Sequence, residues 1–314
     1  MRILVLLLGL MSLSACTSAS VAPVAEAAPA ARATAAPTRT PLVRSVPTAT
    51  PTMSAVPSPT PTPTPTPVPT PIFLDGEPAP QLEGELAMQT YSLDLYRLPG
   101  ALSAETIRNL ALPAESSIIT GSQELNAELT GRIAVRFEPA QSGACAIRGL
   151  TLSNERTIRL FYEPNTDPNR ILAILAHEFF HQLQHDYYGE YHHRRSDVIL
   201  LEGMAVWGSR AYFRDEQGRY LYQERAKQAL REGRLLPLTT SLEADCRTTT
   251  RNDIYNEWAS FVEYLLTTYG REKLDAVYRD STGRPAGSAN YLAVYGKRLA
   301  DLESEWVDWL WKQL

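Results

Sequence analysis

The sequence predicts an α+β fold in which a small mixed or antiparallel sheet is followed by a mostly helical part. Between residues 85 and 165, short segments rich in β-branched and aromatic residues alternate apolar and polar side chains, which is typical of strands. Beyond about residue 166, apolar residues recur every three or four positions, as on amphipathic helices. Residues 80–314 are enough for one domain with a strand-rich part, 85–165, and a helical part, 166–314.

The chain begins with the pattern of an export signal. Arg2 precedes an apolar stretch, Ile3 to Leu13, that suits a signal peptide and is too short to span a bilayer as a mature helix. Residues 13–16 read Leu-Ser-Ala-Cys and resemble a bacterial lipoprotein signal, which implies a signal peptide over residues 1–15 and a lipid on Cys16. An ordinary secretory signal, cleaved near Ala15, is the alternative. We expect an extracytoplasmic protein that is lipid-anchored to the membrane of the bacterial cell envelope.

Residues 16–72 lack any core-forming pattern and are rich in alanine, proline and threonine. The tract becomes a Pro-Thr repeat, which is most regular over residues 61–67. Because proline removes backbone donors and fixes φ, we expect a disordered, semi-rigid stalk in polyproline II conformation, with a rise of about 3.1 Å per residue. Such a stalk would hold the following domain away from the membrane.

Periodicity and turn residues allow a coarse assignment of strands and helices. Four strands are predicted, at 91–97, 132–138, 146–152 and 157–162. A helix at about 104–129, broken near Pro113, separates the first two strands, because proline interrupts helical hydrogen bonding. A helix at 168–186 follows the last strand. After a polar loop at 187–195, further helices are predicted near 196–213, 216–232, 253–268, 271–279, 289–300 and 302–312.

Residues 177–181 read His-Glu-Phe-Phe-His and lie in an apolar run that predicts a buried helix. Asp167 followed by Pro168 gives the helix a capping carboxylate and a proline in its first turn, which is a typical helix start. On this helix, His177 and His181 project from one face, with Cβ atoms roughly 5 to 6 Å apart. Two imidazoles placed in this way can bind one metal ion.

A catalytic zinc site needs a third protein ligand and keeps its fourth position for water. Glu202 is the lone acid in the apolar segment 200–207, which is expected on a second helix that returns antiparallel to the first. Gly203 would let the two helices approach closely. Glu178 is turned by about 100° from His177 around the first helix, too far for easy ligation but well placed to take a proton from a water on the metal.

These elements resemble the gluzincin metallopeptidases, specifically the peptidase MA-like group, in which a His-Glu-x-x-His helix is followed by a helix with Glu-Gly-x-Ala. The matching residues are His177, Glu178, His181, Glu202, Gly203 and Ala205. The likeness covers about residues 85–314 and continues in Tyr255, Ser260, Phe261, Tyr264, Leu265, Tyr269 and Gly270. It implies a few strands before the active-site helix, an edge strand beside a cleft, and a helical half opposite. The strand at 157–162 is then the expected peptide-binding edge.

The resemblance implies a zinc-dependent peptidase with one Zn²⁺ per chain, held by His177, His181 and Glu202. The metal would activate a water, and Glu178 would act as general base in the hydrolysis of a peptide bond. A further donor to the developing oxyanion is expected. The resemblance points to Tyr255 for this role, and the alternatives in the loop after the metal helix are Tyr191, His192 and His193.

Two features near the motif bear on this assignment. The metzincins require a third histidine six residues after the second, but that position holds Tyr187. His185 shares a face with His181, yet it lies roughly 12 Å along the helix axis from His177, so the three rings can hardly bind one ion. We interpret His185 as a residue that supports the site or lies on the surface.

The three cysteines divide into a lipid site and a possible pair. If Cys16 is acylated, Cys145 and Cys246 remain in an oxidising compartment. A disulfide between them would close a loop of about a hundred residues and contribute roughly 4 to 5 kcal/mol in the chain-entropy model. Two free thiols too far apart to join are the alternative, because the sequence gives no distance.

Composition excludes some partners and leaves other functions open. A formal net charge of −5 argues against a nucleic-acid surface, so a peptide or protein is the expected partner and a monomer the expected state. A binding or scaffolding lipoprotein that has lost turnover is one alternative, but the intact Glu178 and the complete ligand set argue against it. A zinc hydrolase acting on a non-protein substrate is the other.

Overall fold

The computed structural model describes residues 73–76, 78–143, 145–241 and 248–314 of the chain of 314 residues. The predicted signal peptide, the lipid site at Cys16 and the stalk lie outside these residues, and so does Cys246. Cys145 is disulfide-bonded, while its pairing with Cys246 stays a prediction. Within the described ranges, every helix is too short or too polar to cross a lipid bilayer.

The described chain has the α+β composition that the sequence predicts, with its strands concentrated in the first half. The strands are β1 (Glu85–Gln89), β2 (Leu93–Arg97), β3 (Ile133–Glu138), β4 (Gly149–Leu152) and β5 (Thr157–Phe161). The helices are α1 (Ala104–Leu125), α2 (Pro168–Tyr188), α3 (Glu190–Arg195), α4 (Val198–Gly208), α5 (Leu221–Arg231), α6 (Thr248–Tyr269), α7 (Arg271–Arg279), α8 (Tyr291–Tyr295) and α9 (Leu299–Trp311).

The strands form one mixed sheet in the order β1-β2-β3-β5-β4. β2, β3 and β5 run parallel to one another, whereas β1 and β4 pair antiparallel at the two edges. The prediction that the strand at 157–162 offers a free edge is therefore wrong. β5 is hydrogen-bonded to β3 on one side and to β4 on the other. The edge of the sheet next to β5 is therefore formed by β4.

Two further differences from the prediction fall in the first half of the chain. β1 is an additional strand, and its apolar residues give a weak signal because they stay partly exposed, as Leu86 does at 45%. The predicted break near Pro113 is wrong, since α1 continues through it and ends at Asn126 in left-handed conformation. Pro113 lies on the exposed face of α1, where water can bind the carbonyl group that the missing N–H leaves without a partner.

Local turn chemistry explains the differences in the helical half. The predicted loop at 187–195 is wrong, because α3 follows α2 directly and only Gly189, with φ of 78°, separates them. The predicted helix at 216–232 begins only at Leu221, since the Asp215 carboxylate accepts two backbone N–H groups and holds a turn. The predicted helix at 289–300 is two helices, α8 and α9, separated at the left-handed Gly296.

α2 lies at the junction of two hydrophobic cores. Leu175 and Phe179 pack with residues of α1, β2, β3 and β5 in one core. Phe180 and Leu183 pack with residues of the helices α4 to α9 in the other. Because adjacent residues of α2 face different cores, the helix is buried nearly all round, and its polar side chains must find partners inside the protein.

A buried ion pair fixes the C-terminal part of α2 to the sheet. Arg156, the residue before β5, donates to the Asp186 carboxylate at 2.9 Å, and the Thr130 backbone N–H donates to the same carboxylate at 3.0 Å. Burial alone would raise the pKa of Asp186, but hydrogen bonds from His185 and Arg156 hold that pKa well below its usual range. The position of α2 relative to the sheet is thus set by charge as well as by apolar packing.

Glu257 on α6 is a buried acid with incomplete hydrogen bonding. Its Oε2 accepts the backbone N–H of Leu236 at 3.0 Å, while its Oε1 has no hydrogen-bond partner in the described part of the chain. Burial, aided by the charge of Asp253, raises the pKa of Glu257 to about 8 despite the Leu236 hydrogen bond. The folded protein therefore favours the neutral form of this side chain.

The free energy of unfolding should fall as the pH rises from about 4.5 to about 8. In this window the folded state holds a proton on Glu257 that the unfolded chain has released. We expect Glu257→Gln to match the wild type at pH 5 and to be more stable by on the order of 2 kcal/mol at pH 8, as measured by urea unfolding. The control is Glu272→Gln on the exposed face of α7. An equal gain at both pH values would contradict this account.

Candidate metal centre

Three side chains from two helices converge on one point. The Nε2 atoms of His177 and His181 on α2 are 3.1 Å apart, and Oε2 of Glu202 on α4 lies 3.3 Å from the first and 3.4 Å from the second. The structure thus brings together the three residues that the sequence selects, and their ligand atoms could hold a metal ion. The two histidines are buried and Glu202 is partly buried, so the group is shielded from most of the solvent.

The start of α4 is fixed by Asp197, which is fully buried. Its carboxylate caps the helix by accepting the N–H of Ile199 at 3.0 Å. It also accepts the N–H groups of Gly287 at 3.2 Å and Ala289 at 3.1 Å, and the Tyr291 hydroxyl at 3.1 Å. Because one carboxylate joins the first turn of α4 to the chain around the start of α8, the helix that carries Glu202 has little freedom to shift.

Gly203 allows a close helix contact, but with a different helix from the one predicted. A Cβ atom on Gly203 would lie 2.7 Å from the backbone carbonyl oxygen of Trp258 on α6. The close approach therefore joins α4 to α6. Towards α2 the small residue is Gly208, where a Cβ atom would overlap the ring of Phe180. Two glycines thus let α4 pack tightly against both neighbours.

Gln184 orients one metal ligand and links the two helices. Nδ1 of His181 is 2.9 Å from Oε1 of Gln184, whose Nε2 donates to the backbone carbonyl of Leu201 at 3.0 Å. Because an amide oxygen can only accept, the shared proton belongs to Nδ1 of His181. A neutral His181 then keeps the lone pair of Nε2 free for a metal ion. Leu201 directly precedes Glu202, so the same amide also aligns the third ligand.

The charges of the three ligands are strongly coupled. Burial alone would lower the pKa of His181, but the facing Glu202 carboxylate outweighs it and raises this pKa to about 9. Burial alone would raise the pKa of Glu202, whereas His181 and His177 hold it well below its usual range. The site therefore favours a positive charge between the three ligand atoms. Either a proton or a metal cation can supply that charge.

Glu178 lies beside the three ligands, under β4. The Thr151 hydroxyl is 2.7 Å from Oε2 of Glu178 and donates to it, and it is 3.0 Å from the backbone carbonyl of the same residue. A Cβ atom on Gly149 would lie 2.7 Å from Cδ of Glu178, so glycine is needed for β4 to pass this close. Glu178 lines the same cleft as the ligands, but only His177, His181 and Glu202 have their ligand atoms clustered.

Tyr255 on α6 stands next to a ligand ring. Its ring is nearly parallel to that of His177, with 6.3 Å between the centroids and 13° between the planes, and it lines the cleft. Burial, together with the negative charge of Glu202, raises the pKa of Tyr255 well above its ordinary value. The phenol therefore keeps its proton at neutral pH and remains able to donate a hydrogen bond.

The alternatives in the segment after α2 are placed less favourably. Tyr191 is exposed, and both it and His192 lie outside the lining of the cleft. His193 lines the cleft, but its ring nitrogens already face the hydroxyls of Ser153 at 3.3 Å and Tyr278 at 3.2 Å. Burial lowers the pKa of His193 to about 2, so this ring stays neutral.

His185 does not join the three ligands. Its Nδ1 is 3.3 Å from Oδ1 of Asp186, and its ring packs edge-on against that of His193, with centroids 5.5 Å apart. His185 thus connects the buried ion pair at the end of α2 to α3.

The three ligands open into a cleft of about 940 Å³, a volume near the upper end for ligand pockets. Its walls are formed by β4, the residues before it and the first turns of α2, and by α4, α5 and α6. Its apolar lining residues include Ile147, Leu150, Ile174, Leu201, Val206 and Leu221. The cleft is therefore large enough for a peptide-sized ligand, and the metal centre forms part of its lining.

Gln184, Thr151 and Gly149 also shape the site, although none of them was predicted from the sequence. Gln184 had a usable signal, because a residue three positions after His181 lies on the same helix face. Thr151 and Gly149 are far from the motif along the chain and reach it only through the sheet, so no local pattern connects them to it.

Neither models of protein families nor curated protein sequences give a match to this chain. The resemblance to the gluzincins therefore rests on the motif residues.

Removing the amide of Gln184 should weaken metal binding without removing a ligand. We expect Gln184→Met to lower zinc affinity by about 10- to 100-fold, because His181 loses the acceptor that fixes its tautomer and ring orientation. Competition with a fluorescent zinc chelator measures the effect. Gln182→Met is the control, since Gln182 is buried on the same helix but bonds to Asp186. Equal losses in the two variants would mean that general destabilisation is responsible.

Proposed function

We propose that this protein is a zinc-dependent peptidase in which His177, His181 and Glu202 hold one zinc ion. The observation that carries the proposal is the triangle of ligand atoms, with sides of 3.1, 3.3 and 3.4 Å. Ligand atoms about 2.0–2.1 Å from a tetrahedral zinc ion lie about 3.3 Å from one another, so the spacing fits. Two imidazoles and one carboxylate are also a donor set of catalytic zinc sites that keep one position open.

Glu178 is the general base of the proposed reaction. Bound zinc would supply a Lewis acid that lowers the pKa of water and polarises a carbonyl group. The Glu178 carboxylate accepts the proton of the attacking water and passes it to the leaving nitrogen of the peptide bond. The Thr151 hydroxyl holds Oε2 at 2.7 Å and so fixes the direction of the carboxylate. Gly149 leaves the room that this orientation requires.

Tyr255 is the proposed donor to the oxyanion. The support is its position against the His177 ring, its place in the cleft lining, and a pKa that keeps the phenol protonated. A neutral donor held in place before the reaction stabilises the charge that develops on the carbonyl oxygen, because it needs no reorganisation in the transition state.

The free edge of β4 favours a peptide as the substrate. β4 pairs with β5 on one side only, and Gly149, Leu150 and Thr151 line the cleft. An extended peptide can add to such an edge through main-chain hydrogen bonds. This addition would lay the peptide backbone alongside Glu178, with the metal centre beneath it.

We also propose that the enzyme acts outside the cytoplasm, anchored to the membrane through a lipid on Cys16. The Leu-Ser-Ala-Cys sequence at 13–16 supports this proposal, and so does the disulfide at Cys145, because disulfides persist in oxidising compartments. Metabolic labelling with radioactive palmitate tests it. The wild type should be labelled and Cys16→Ser should not. Equal labelling of the two proteins would refute a lipid anchor on Cys16.

Zinc content and turnover should respond differently to different substitutions. We expect His177→Ala, His181→Ala and Glu202→Ala to lose stoichiometric zinc, because each removes one ligand. Glu178→Gln should keep zinc but lose cleavage of denatured casein by about 10²- to 10⁴-fold, the typical contribution of a general base. The control is Glu190→Gln, which changes an exposed acid outside the cleft lining.

The same measurements separate the proposal from its alternatives. Folded wild type without bound zinc would refute the metal centre. One zinc ion per chain with no cleavage of casein, unaffected by Glu178→Gln, would favour a binding protein. Zinc-dependent hydrolysis of ester or other carbonyl substrates in a screen, without cleavage of peptides, would favour a different hydrolase.

The hydroxyl of Tyr255 should contribute to the rate but not to metal binding. We expect Tyr255→Phe to keep one zinc ion per chain and to lower kcat by about 10²- to 10³-fold, as the loss of one oxyanion donor does elsewhere. Tyr212→Phe, a second tyrosine of the cleft lining, is the comparison. An unchanged kcat in Tyr255→Phe would transfer the role to another donor.

A further inference from the structure

The cleft carries a charge opposite to that of the chain as a whole. The full sequence has 30 lysine and arginine residues against 35 aspartate and glutamate residues. Among the described residues, those lining the cleft include six arginines, Arg148, Arg170, Arg214, Arg225, Arg251 and Arg284. Apart from Glu178 and Glu202 at the metal centre, the acids of this lining are Asp167 and Asp253. Arginine is thus concentrated in the cleft of an acidic protein.

These arginines are also poor in carboxylate partners. Ten arginines elsewhere in the described ranges form ion pairs with aspartate or glutamate. In contrast, five of the cleft arginines are exposed and have no described carboxylate oxygen within 4.0 Å, namely Arg148, Arg170, Arg214, Arg225 and Arg284. Arg214 donates to the backbone carbonyl of Gly218 at 2.7 Å, and Arg284 donates to the Ser196 hydroxyl. The guanidinium groups of Arg148, Arg170 and Arg225 have no such partner among the described residues, so they remain available to a ligand.

The arginines of the cleft belong to different elements of the fold. Arg148 and Arg170 belong to the wall that contains β4 and the start of α2, and both act on the pKa of Tyr162, as does Glu178. Arg225 lies on α5, which also lines the cleft. Arg284 donates to the Ser196 hydroxyl at 2.8 Å, and the charge of Glu202 acts on the pKa of Arg284. A ligand in the cleft would therefore meet positive charge from several elements that line it.

We propose that the cleft selects acidic peptides, with aspartate or glutamate side chains on either side of the bond that is cut. The proposal rests on the peptidase function and names the substrate class of the same site. Guanidinium groups bind carboxylates through paired hydrogen bonds, and a cleft lined by one sign of charge concentrates the opposite sign. The free β4 edge favours a polypeptide among anionic ligands, because it offers main-chain hydrogen bonds.

Quenched fluorescent peptides of one length and one core sequence test the selection. The flanking positions carry Asp and Glu in the first peptide, Asn and Gln in the second, and Lys in the third. At low salt we expect kcat/KM to be at least about tenfold higher for the acidic peptide than for the neutral one, and lowest for the basic one. The preference should shrink in 1 M NaCl, where the screening length falls to about 3 Å from about 10 Å at 0.1 M.

Charge reversal on two different elements of the cleft, α2 and α5, tests which residues are responsible. The double variant Arg170→Glu, Arg225→Glu should lower the ratio of acidic to neutral kcat/KM by about tenfold or more. The matched control is Arg108→Glu, Arg231→Glu, which reverses two exposed arginines on α1 and α5 outside the cleft lining. The control should keep the wild-type ratio. Equal changes in both double variants would show that net charge, and not the cleft, sets the preference.

Binding to Glu178→Gln distinguishes failure of this proposal from failure of the peptidase function. Fluorescence anisotropy with the three labelled peptides should give the tightest binding for the acidic one. If all three bind equally at low salt while the wild type cleaves them, acidic selection is refuted and the peptidase stands. If the acidic peptide binds best but the zinc-loaded wild type cleaves none of the three, the cleft assignment stands and the peptidase is refuted.

Discussion

The fold depends on one meeting of charges inside the protein, between the Glu202 carboxylate of α4 and two imidazole rings of α2. Because α2 is packed on one side by the sheet core and on the other by the helical core, its histidines have little access to water. The two rings need a nearby negative charge, and among the described residues the carboxylate that lies within 4.0 Å of both is that of Glu202 on α4. The position of α4 depends on three residues, Asp197, Gln184 and Gly203. Together they keep Oε2 of Glu202 close to both rings.

The two halves of the domain make different contributions to the site. The helices supply a rigid set of ligands, because both ligand helices are anchored by buried carboxylates at Asp186 and Asp197. The sheet contributes β4, an edge strand that passes over Glu178 and lines the cleft. Rigid ligands beside an open strand edge form an arrangement suited to a long, flexible ligand that is recognised along its backbone.

The sequence predicted what depends on local pattern and missed what depends on distant chain segments. His177, His181 and Glu202 were recognisable because helix geometry converts their spacing into a shared location. The α+β class followed from periodicity. Strand order did not, so β5 was taken for the edge that β4 provides. α3 was missed because a single glycine separates it from α2, and the cleft arginines were missed because they come from five separate stretches of chain that only the fold brings together.

The exposed side of β4 also has a consequence for the solution behaviour of the protein. A strand edge with unused N–H and C=O groups can join the same edge of a second molecule, which is a common route to aggregation. Here the edge is only four residues long and begins with a glycine, and Arg148 directly precedes it. Two such edges would repel each other and would have little length over which to pair. The features proposed to select an acidic peptide would thus also keep neighbouring copies of the protein apart.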